Sequence, residues 1–462
     1  MIISDKIYID CKVEPLNDSI LKDLTYLNPE YFMKMNMGLS VRGVPKEIAV
    51  YNYNSKDRIL AIPRGEAIKI RPHIGGYEYN FQHPDVPVNL QYINNDFPLD
   101  EYQQGAVKAM TTDGYRQGII HAVTSAGKSL MILKTIADLK QQAIVVVHRK
   151  LLMTQLLEDI DKYIRDENGN KIKPGIIGGG KIEVGPITIA IDKTLAKNID
   201  RFRASFGVAI LDECHIAPAT TLFTLLNSIN SKYRFGFTGT LKRKDQKEFL
   251  IYSTFGTVIY TISKDQLLDK ERIVPVEIEV IETETKFNWD QVVESLTEQG
   301  YRNPTQQARL LQDRTLVSDR GRNNLILSRV SKLVGKTIVL CKFVEPCYEL
   351  SRQLKEKYNI DSGIITGRDS KEAALAYEGM KHQDLQVIFA TVGCVSTGIS
   401  ISDLDNIVLI SPIYNNELLL HQIRGRLMRK SEGKEFGTLY FLYDQYIFDD
   451  YKLQKFLRIM KK

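Results

Sequence analysis

Between residues 93 and 262 the chain alternates short, almost wholly apolar runs with longer segments of helical spacing. Ile119-Ile120-His121-Ala122-Val123, Ala143-Ile144-Val145-Val146-Val147, Ile187-Thr188-Ile189-Ala190-Ile191 and Val208-Ala209-Ile210-Leu211 are the apolar runs. Strands that read this way are covered on both faces, as in a parallel sheet. The segments between them, such as Leu130 to Lys140, have the length and periodicity of amphipathic helices. The pattern predicts a doubly wound α/β domain over 93–262. A second set of runs, Thr337-Ile338-Val339-Leu340, Gly363-Ile364-Ile365, Val387-Ile388-Phe389-Ala390 and Ile407-Val408-Leu409-Ile410, predicts another over 326–462. Residues 263–325 are more polar, contain the only tryptophan, Trp289, and are expected to form a helical connection.

Residues 1–92 have a different texture. Glu47-Ile48-Ala49-Val50-Tyr51, Arg58-Ile59-Leu60-Ala61-Ile62 and Ala67-Ile68-Lys69-Ile70 read as short alternating strands. Turn-like Asn54-Ser55-Lys56-Asp57 and Pro63-Arg64-Gly65 separate them. We expect a small α+β module here. Its tyrosines and Arg42, Arg58, Arg64, Lys69 and Arg71 suit a grip on nucleic acid, and suit core aromatics with solvated charges equally well.

Composition narrows the class. A chain of 462 residues has room for two to four domains, and 43% hydrophobic with 26% charged residues is ordinary for a globular protein. A net charge of +6, from 62 basic and 56 acidic residues, permits nucleic-acid binding through local basic patches without establishing it. The cysteines are Cys11, Cys214, Cys341, Cys347 and Cys394, with no CxxC pair and no zinc spacing, so a reduced intracellular chain is expected. The N-terminus lacks the charged and apolar regions of a secretory signal. No apolar run approaches the ~18 residues of a membrane span, and no membrane association is expected.

Three motifs carry chemistry. Thr124-Ser125-Ala126-Gly127-Lys128-Ser129 follows an apolar strand and opens a helix, an arrangement that aims backbone N–H groups at phosphate. Lys128 would reach the β- and γ-phosphates, and the Ser129 hydroxyl would ligate magnesium. Ala122 stands where a strict phosphate loop has its first glycine, so an ordinary glycine turn before a helix is the alternative. At the end of the run Val208–Leu211, Asp212 and Glu213 would hold magnesium and orient an attacking water. Cys214-His215 has no further ligands at suitable spacing, and His215 reads as a residue coupling the acids to neighbouring motifs. Far downstream, Gln422-Ile423-Arg424-Gly425-Arg426-Leu427-Met428-Arg429 is expected on a helix, with Arg426 and Arg429 sharing a face. Arginine suits a γ-phosphate gaining charge because its planar fork donates paired hydrogen bonds.

The ordered series resembles a superfamily 2 helicase across roughly residues 97 to 430. Leu99-Asp100-Glu101-Tyr102-Gln103 resembles the adenine-recognising Q motif, and Val147-His148-Arg149-Lys150-Leu151 through Gln155 resembles motif Ia. Phe237-Thr238-Gly239-Thr240 resembles motif III, Thr337 to Cys341 begins a likeness to motif IV, Ala390-Thr391 through Thr397-Gly398-Ile399-Ser400 resembles motif V, and Gln422 through Arg429 resembles motif VI. The resemblance implies two tandem RecA-like domains, ATP and Mg2+ as cofactors, and DNA as partner. It implies that Gln103 reads adenine and that Thr238, Thr240 and Gln422 couple the sites with His215. Arg426 and Arg429 would act as catalytic arginines from the second domain, on ATP bound between the two. Arg149, Lys150, the Thr194-Leu195 turn and Thr391 would contact the strand. For Lys242-Arg243-Lys244 a solvated face and a DNA contact are equally open.

The departures are Ser125-Ala126 in the phosphate loop, Gly239 in motif III, and Ser400 where motif V usually has an acid. With the compact size and the small N-terminal module, they resemble the UvsW-type recombination helicases of tailed phages, which unwind, rewind and branch-migrate DNA. The resemblance thus implies a monomeric intracellular enzyme, in the host cytoplasm if phage-encoded, acting on forks and junctions. An RNA helicase, a duplex translocase and a non-catalytic scaffold are the rival readings. Residues 1–92 are expected to be removable without loss of strand-stimulated ATP hydrolysis.

Overall fold

The parallel pairing implied by the apolar runs is realised in two separate sheets of a computed structural model. It describes residues 1–462 except 13–17, 74–77, 95–97, 124–125, 219, 244, 270–272, 368–370, 383, 396–403, 412–416, 432 and 462. The chain divides into one unit over Met1–Gln266 and another over Leu267–Lys462.

In the first unit an eight-stranded sheet runs in the order Lys181–Glu183, Gly175–Gly178, Ile187–Ile191, Ala143–Val147, Val208–Asp212, Tyr233–Thr238, Gln117–Ala122, Val258–Ile262. All neighbours are parallel except the outermost pair, 175–178 with 181–183. Ala143–Val147 is buried at every position, as a strand covered on both faces must be. The register sets Val146 beside Leu211, Asp212 beside Phe237, and Phe237 beside Ile120. Because these strands are parallel, the turns that follow Ala122, Val147, Asp212 and Thr238 all leave from one edge, where ligands of open α/β sheets bind.

Residues 1–92 belong to this same unit. Their main sheet has the order Asn52–Asn54, Ile59–Pro63, Lys6–Asp10, Ile2–Ile3, Asn80–Phe81. Its core of Ile7, Ile9, Leu24, Leu60, Ile62 and Ile70 continues into Leu250, with Phe223 and Phe249 packed against it. Tyr26 stacks on Phe249 with ring centroids 4.3 Å apart. Two buried arginines cross the contact in opposite directions. Arg64 donates to the carbonyls of Ser231 (2.5 Å) and Lys232 (3.3 Å), while Arg234 donates to the carbonyls of Asp5 (2.9 Å) and Ile229 (2.8 Å). Arg64 is therefore a docking residue rather than a nucleic-acid grip. A shared core and crossed arginines also run against treating residues 1–92 as removable.

The expected strand at 67–70 is instead a helical turn, Ala67–Ile70, between the 3-10 turns Arg64–Glu66 and Arg71–His73. Glu66, buried and accepting from Ser253 of the helix Phe249–Phe255, and Arg64, buried on the Ser231 carbonyl, set this winding path, and only Ile70 of the two isoleucines is buried. Gly65 is required at the contact, since a Cβ there would lie 2.0 Å from the Tyr252 carbonyl oxygen.

The second unit has a six-stranded, wholly parallel sheet in the order Val276–Thr283, Gly437–Asp444, Asn406–Leu409, Thr337–Cys341, Val387–Thr391, Ser362–Ile365. Part of the stretch expected to be helical thus supplies the strand 276–283, whose pairing with 437–444 outweighs its polar composition. The rest forms the helices Trp289–Glu298, Pro304–Ser318 and Arg320–Val330. Buried Arg322, on the last of these helices, pairs at 2.7 Å with buried Asp444 at the end of strand 437–444.

Replacing Arg64 with methionine keeps the bulk and removes the donors to Ser231 and Lys232. The expected loss is about 3 kcal/mol of stability, because buried carbonyls lose a charged partner. Chemical denaturation measures it, and an unchanged midpoint would contradict the docking role.

Candidate active site

Three chain turns at the carboxyl edge of the first unit's sheet build the site. Gly127 adopts φ +76° and opens the helix Lys128–Leu139. It has a second reason to be glycine, since a Cβ there would lie 2.3 Å from Gln103 Nε2. Gln103 sits in the first turn of the helix Glu101–Thr111 and closes a capping box, its Oε1 accepting from the Asp100 N–H at 2.9 Å. Its Nε2 donates to the Ala126 carbonyl at 2.9 Å. The residue expected to read adenine thereby ties a helix start to the phosphate loop. Thr124 and Ser125 lie outside the described residues.

Beyond the strand Val208–Asp212 the chain turns sharply, with Glu213 at φ 58°, ψ 54°, a left-handed conformation uncommon for a non-glycine residue. The Glu213 N–H donates to Asp212 Oδ1 at 3.0 Å. The Glu213 carboxylate lies between two cationic or donor groups, Lys128 Nζ 3.3 Å from Oε1 and His215 Nδ1 3.2 Å from Oε2. His215 Nδ1 is also 3.2 Å from Thr238 Oγ1. Thr238 donates its one hydroxyl proton to the Thr240 carbonyl at 2.8 Å and accepts from the Thr240 N–H at 3.1 Å. With that proton committed, the hydrogen between His215 and Thr238 must sit on Nδ1. The phosphate loop, acid box and motif III segment are therefore joined as Lys128–Glu213–His215–Thr238–Thr240.

Charge in this cluster is unevenly held. Burial raises the Asp212 carboxyl to about 6, helped by repulsion from Glu213. Burial works against the Glu213 charge too, but Lys128 and the His215 hydrogen bond outweigh it and hold that carboxyl well below the usual range. One acid is thus firmly ionised and its neighbour is poised, the separation expected where two carboxylates have different tasks. Among the described residues no three His, Cys, Asp or Glu side chains cluster as metal ligands. Magnesium takes one or two carboxylates together with substrate phosphates, so Asp212 suits it without such a cluster. Ser129, the other expected ligand, hydrogen-bonds through its side chain to Asp159, whose carboxyl burial raises to about 6.

Other expected site residues are placed as follows. Arg149 precedes the helix Lys150–Tyr163 as its N-cap, and Lys150 is exposed. Thr194 and Leu195 are not in a turn but inside the helix Asp192–Asn198, with Leu195 in the core. In the second unit Thr391 ends a parallel strand, its hydroxyl buried 3.0 Å from Cys394 Sγ. Thr397 to Ser400 lie outside the described residues.

The helix Glu417–Leu427 carries Gln422 and Arg426, but it stops before Arg429, which forms a β-bridge with Ile273. Arg426 and Arg429 therefore do not share a helix face. The buried Lys434 ammonium ends the helix, donating to the carbonyls of Leu427 (2.6 Å), Leu404 (2.6 Å) and Arg429 (3.0 Å). A cation at that terminus also complements the helix dipole. Arg429 has its guanidinium pKa lowered by burial.

The motif reading missed three participants. Arg243, in a run open to two readings, pairs with Asp245 at 2.7 Å and donates to the His215 carbonyl, so it braces the acid box. Asp159 is one acid among several on an amphipathic helix, and His148 follows an apolar strand. Nothing in local spacing distinguishes either.

Comparison with known proteins adds to this geometry. Residues 96–243 match the family described as type III restriction enzyme, res subunit, and residues 323–431 match the helicase conserved C-terminal domain. The probable helicase D10 of Escherichia phage T5 is 27% identical over 315 residues, 67% of this chain and 63% of that protein. The ATP-dependent DNA helicase uvsW of Enterobacteria phage T4 is 23% identical over 315 residues, 65% of this chain and 59% of that protein. The matched stretch thus spans less than two thirds of either relative. Among solved structures, S. cerevisiae Dbp5 bound to RNA and ADP BeF3 aligns with a TM-score of 0.52 at 16% identity, over 78% of this chain and 86% of that one. The two parallel sheets accordingly have the RecA-like fold.

The raised Asp212 pKa gives a signed stability test. The carboxyl goes from 3.8 when unfolded to about 6 when folded, so the folded state holds its proton longer. Stability tied to that proton is fully present below pH 3.8 and is lost as pH rises through about 6. In magnesium-free buffer Asp212→Asn should therefore melt higher than the parent above pH 6, with the gain vanishing near pH 4. A lower melting temperature at pH 7 would contradict the assignment.

Proposed function

The chain belongs to the superfamily 2 helicases, and on that premise we propose an ATP-dependent DNA helicase that unwinds or branch-migrates forked and junction DNA. The observation that carries this reading is the continuous contact from Lys128 through Glu213 and His215 to Thr238. A phosphate-binding lysine, a carboxylate able to orient water, and a relay to motif III lie within hydrogen-bonding reach of one another.

Lys128 would exchange Glu213 for the β- and γ-phosphates of ATP, helped by N–H groups at the start of its helix. Glu213, ionised and released from the lysine, would then orient the attacking water. Magnesium, when bound, supplies charge neutralisation on the phosphates, and Asp212 would hold it. Arg426 and Arg429 are proposed to donate to the γ-phosphate as its charge grows, a role worth roughly 10³ to 10⁵ in rate in related motors. Through His215, Thr238 and Thr240, a change at Glu213 would reach the motif III segment.

DNA is preferred as the substrate because the T4 relative is named a DNA helicase. RNA remains the second reading, since Dbp5, which shares the fold, is bound to RNA in its solved structure. Arg149 and the exposed Lys150 are proposed strand contacts, with Thr194 and Thr391 as further candidates. Action as a monomer inside the cell, in replication, recombination or repair, completes the proposal. No helix among the described residues is long and apolar enough to cross a membrane.

The test compares ATP hydrolysis with single-stranded DNA, branched DNA and RNA as activators. Branched or single-stranded DNA should stimulate, and stimulation by RNA alone would overturn the choice. Glu213→Gln should reduce turnover by about 10²-fold or more while leaving DNA binding in place. Undiminished turnover would remove Glu213 from its role.

A further inference from the structure

His148 closes an apolar run. The five residues before it, Ala143–Val147, are all buried in the central strand of the first sheet. Both imidazole nitrogens are buried, and neither has a hydrogen-bond partner among the described residues. A leucine or valine would fill such a place without leaving polar atoms unpaired, so the histidine carries a cost in this arrangement.

Its location suggests what the ring is for. Strand 143–147 runs parallel to strand 208–212, and the last registered pair is Val146 with Leu211. Two residues further on stand His148 after one strand and Glu213 after the other. Glu213 and His215 both act electrostatically on the His148 ring, and burial lowers its pKa to about 4, so the imidazole is neutral with one N–H to give. Glu213 already has two partners, Lys128 and His215. One of them, Lys128, is the residue that ATP phosphates would claim.

Building on the proposed ATP site, we infer that His148 is a positioning residue for Glu213, donating its ring N–H to the carboxylate once Lys128 has turned to phosphate. The general base then keeps two fixed donors, His215 and His148, throughout the nucleotide cycle. Without the second it would be held at one point only and would swing relative to the attacking water. His148 also immediately precedes Arg149 and Lys150, the proposed strand contacts. A phosphate gripped there would therefore move the donor to Glu213 directly, along one residue of backbone.

The test uses the full chain with His148→Leu and His148→Asn, measuring steady-state ATP hydrolysis with saturating DNA and thermal stability. Leucine removes the donor and keeps the packing, whereas asparagine restores a neutral donor. The expected result for His148→Leu is a kcat lowered about 10-fold or more, as for a misplaced catalytic group, with KM for ATP unchanged and a melting temperature equal to or above the parent. His148→Asn should recover a large part of kcat. A kcat within twofold of the parent in His148→Leu would overturn the inference. So would a loss that tracks a lower melting temperature, or one that asparagine does not relieve. Lys128→Ala in the same assay separates this from the underlying reading. If Lys128→Ala still turns over ATP, the site assignment fails; if it does not and His148→Leu is normal, only the positioning role fails.

Discussion

A buried carboxylate has to be compensated, and the charge on Glu213 is the constraint from which the site follows. Lys128 arrives from the helix after strand 117–122, and His215 follows Glu213 itself on the 3-10 turn Cys214–Ile216. Lys128 would not reach the acid without the parallel order that sets strand 208–212 between 143–147 and 233–238, with 117–122 next. The left-handed backbone at Glu213 is the local cost of that geometry, offset by the ion pair, the histidine contact and the Asp212 bond to its N–H. Splitting the two acids into an ionised Glu213 and a poised Asp212 is a direct consequence. A lysine that faces one oxygen and a histidine that faces the other leave the neighbouring carboxyl to bear the burial.

The scaffold around the site is held by buried cations used as structural pins. In the first unit, Arg64 and Arg234 each donate to carbonyls across the junction of the N-terminal sheet with the helicase sheet, and an apolar core runs through the same junction. The N-terminal residues are consequently part of what keeps strand 233–238, and with it Thr238, in place. In the second unit, Lys434 closes the helix that carries Gln422 and Arg426, and Arg322 pairs with Asp444. A positive charge surrounded by carbonyl oxygens or a carboxylate is well satisfied, and losing any one acceptor set leaves it stranded.

Much of this was legible in the chain because parallel strands announce themselves as unbroken apolar runs. The phosphate loop and acid box were recognisable because each chemistry needs particular residues at strand ends. Misreadings arose where long-range contacts overrode local pattern. Ala67–Ile70 alternates like a strand but winds as a helix, because Arg64 is anchored on the Ser231 carbonyl and Glu66 on Ser253 of a neighbouring helix. Val276–Thr283 is rich in glutamate yet is a strand, because its partner 437–444 fixes it in register along its whole length. The helix expected to carry both arginines ends at Leu427, where Lys434, several residues later, supplies the cap. Arg243 was silent for a related reason: its partner His215 is distant in sequence.

The proposed site turns on one exchange, in which Lys128 would leave Glu213 for the phosphates of ATP. The most direct measurement is the equilibrium affinity of Glu213→Gln for ATP, set against that of the parent protein under conditions where hydrolysis is suppressed. Glutamine cannot hold the lysine by charge and adds no negative charge beside the triphosphate, so the variant should bind ATP more tightly. Equal or weaker binding would contradict the account, because it would mean that Lys128 and Glu213 do not compete at the nucleotide site.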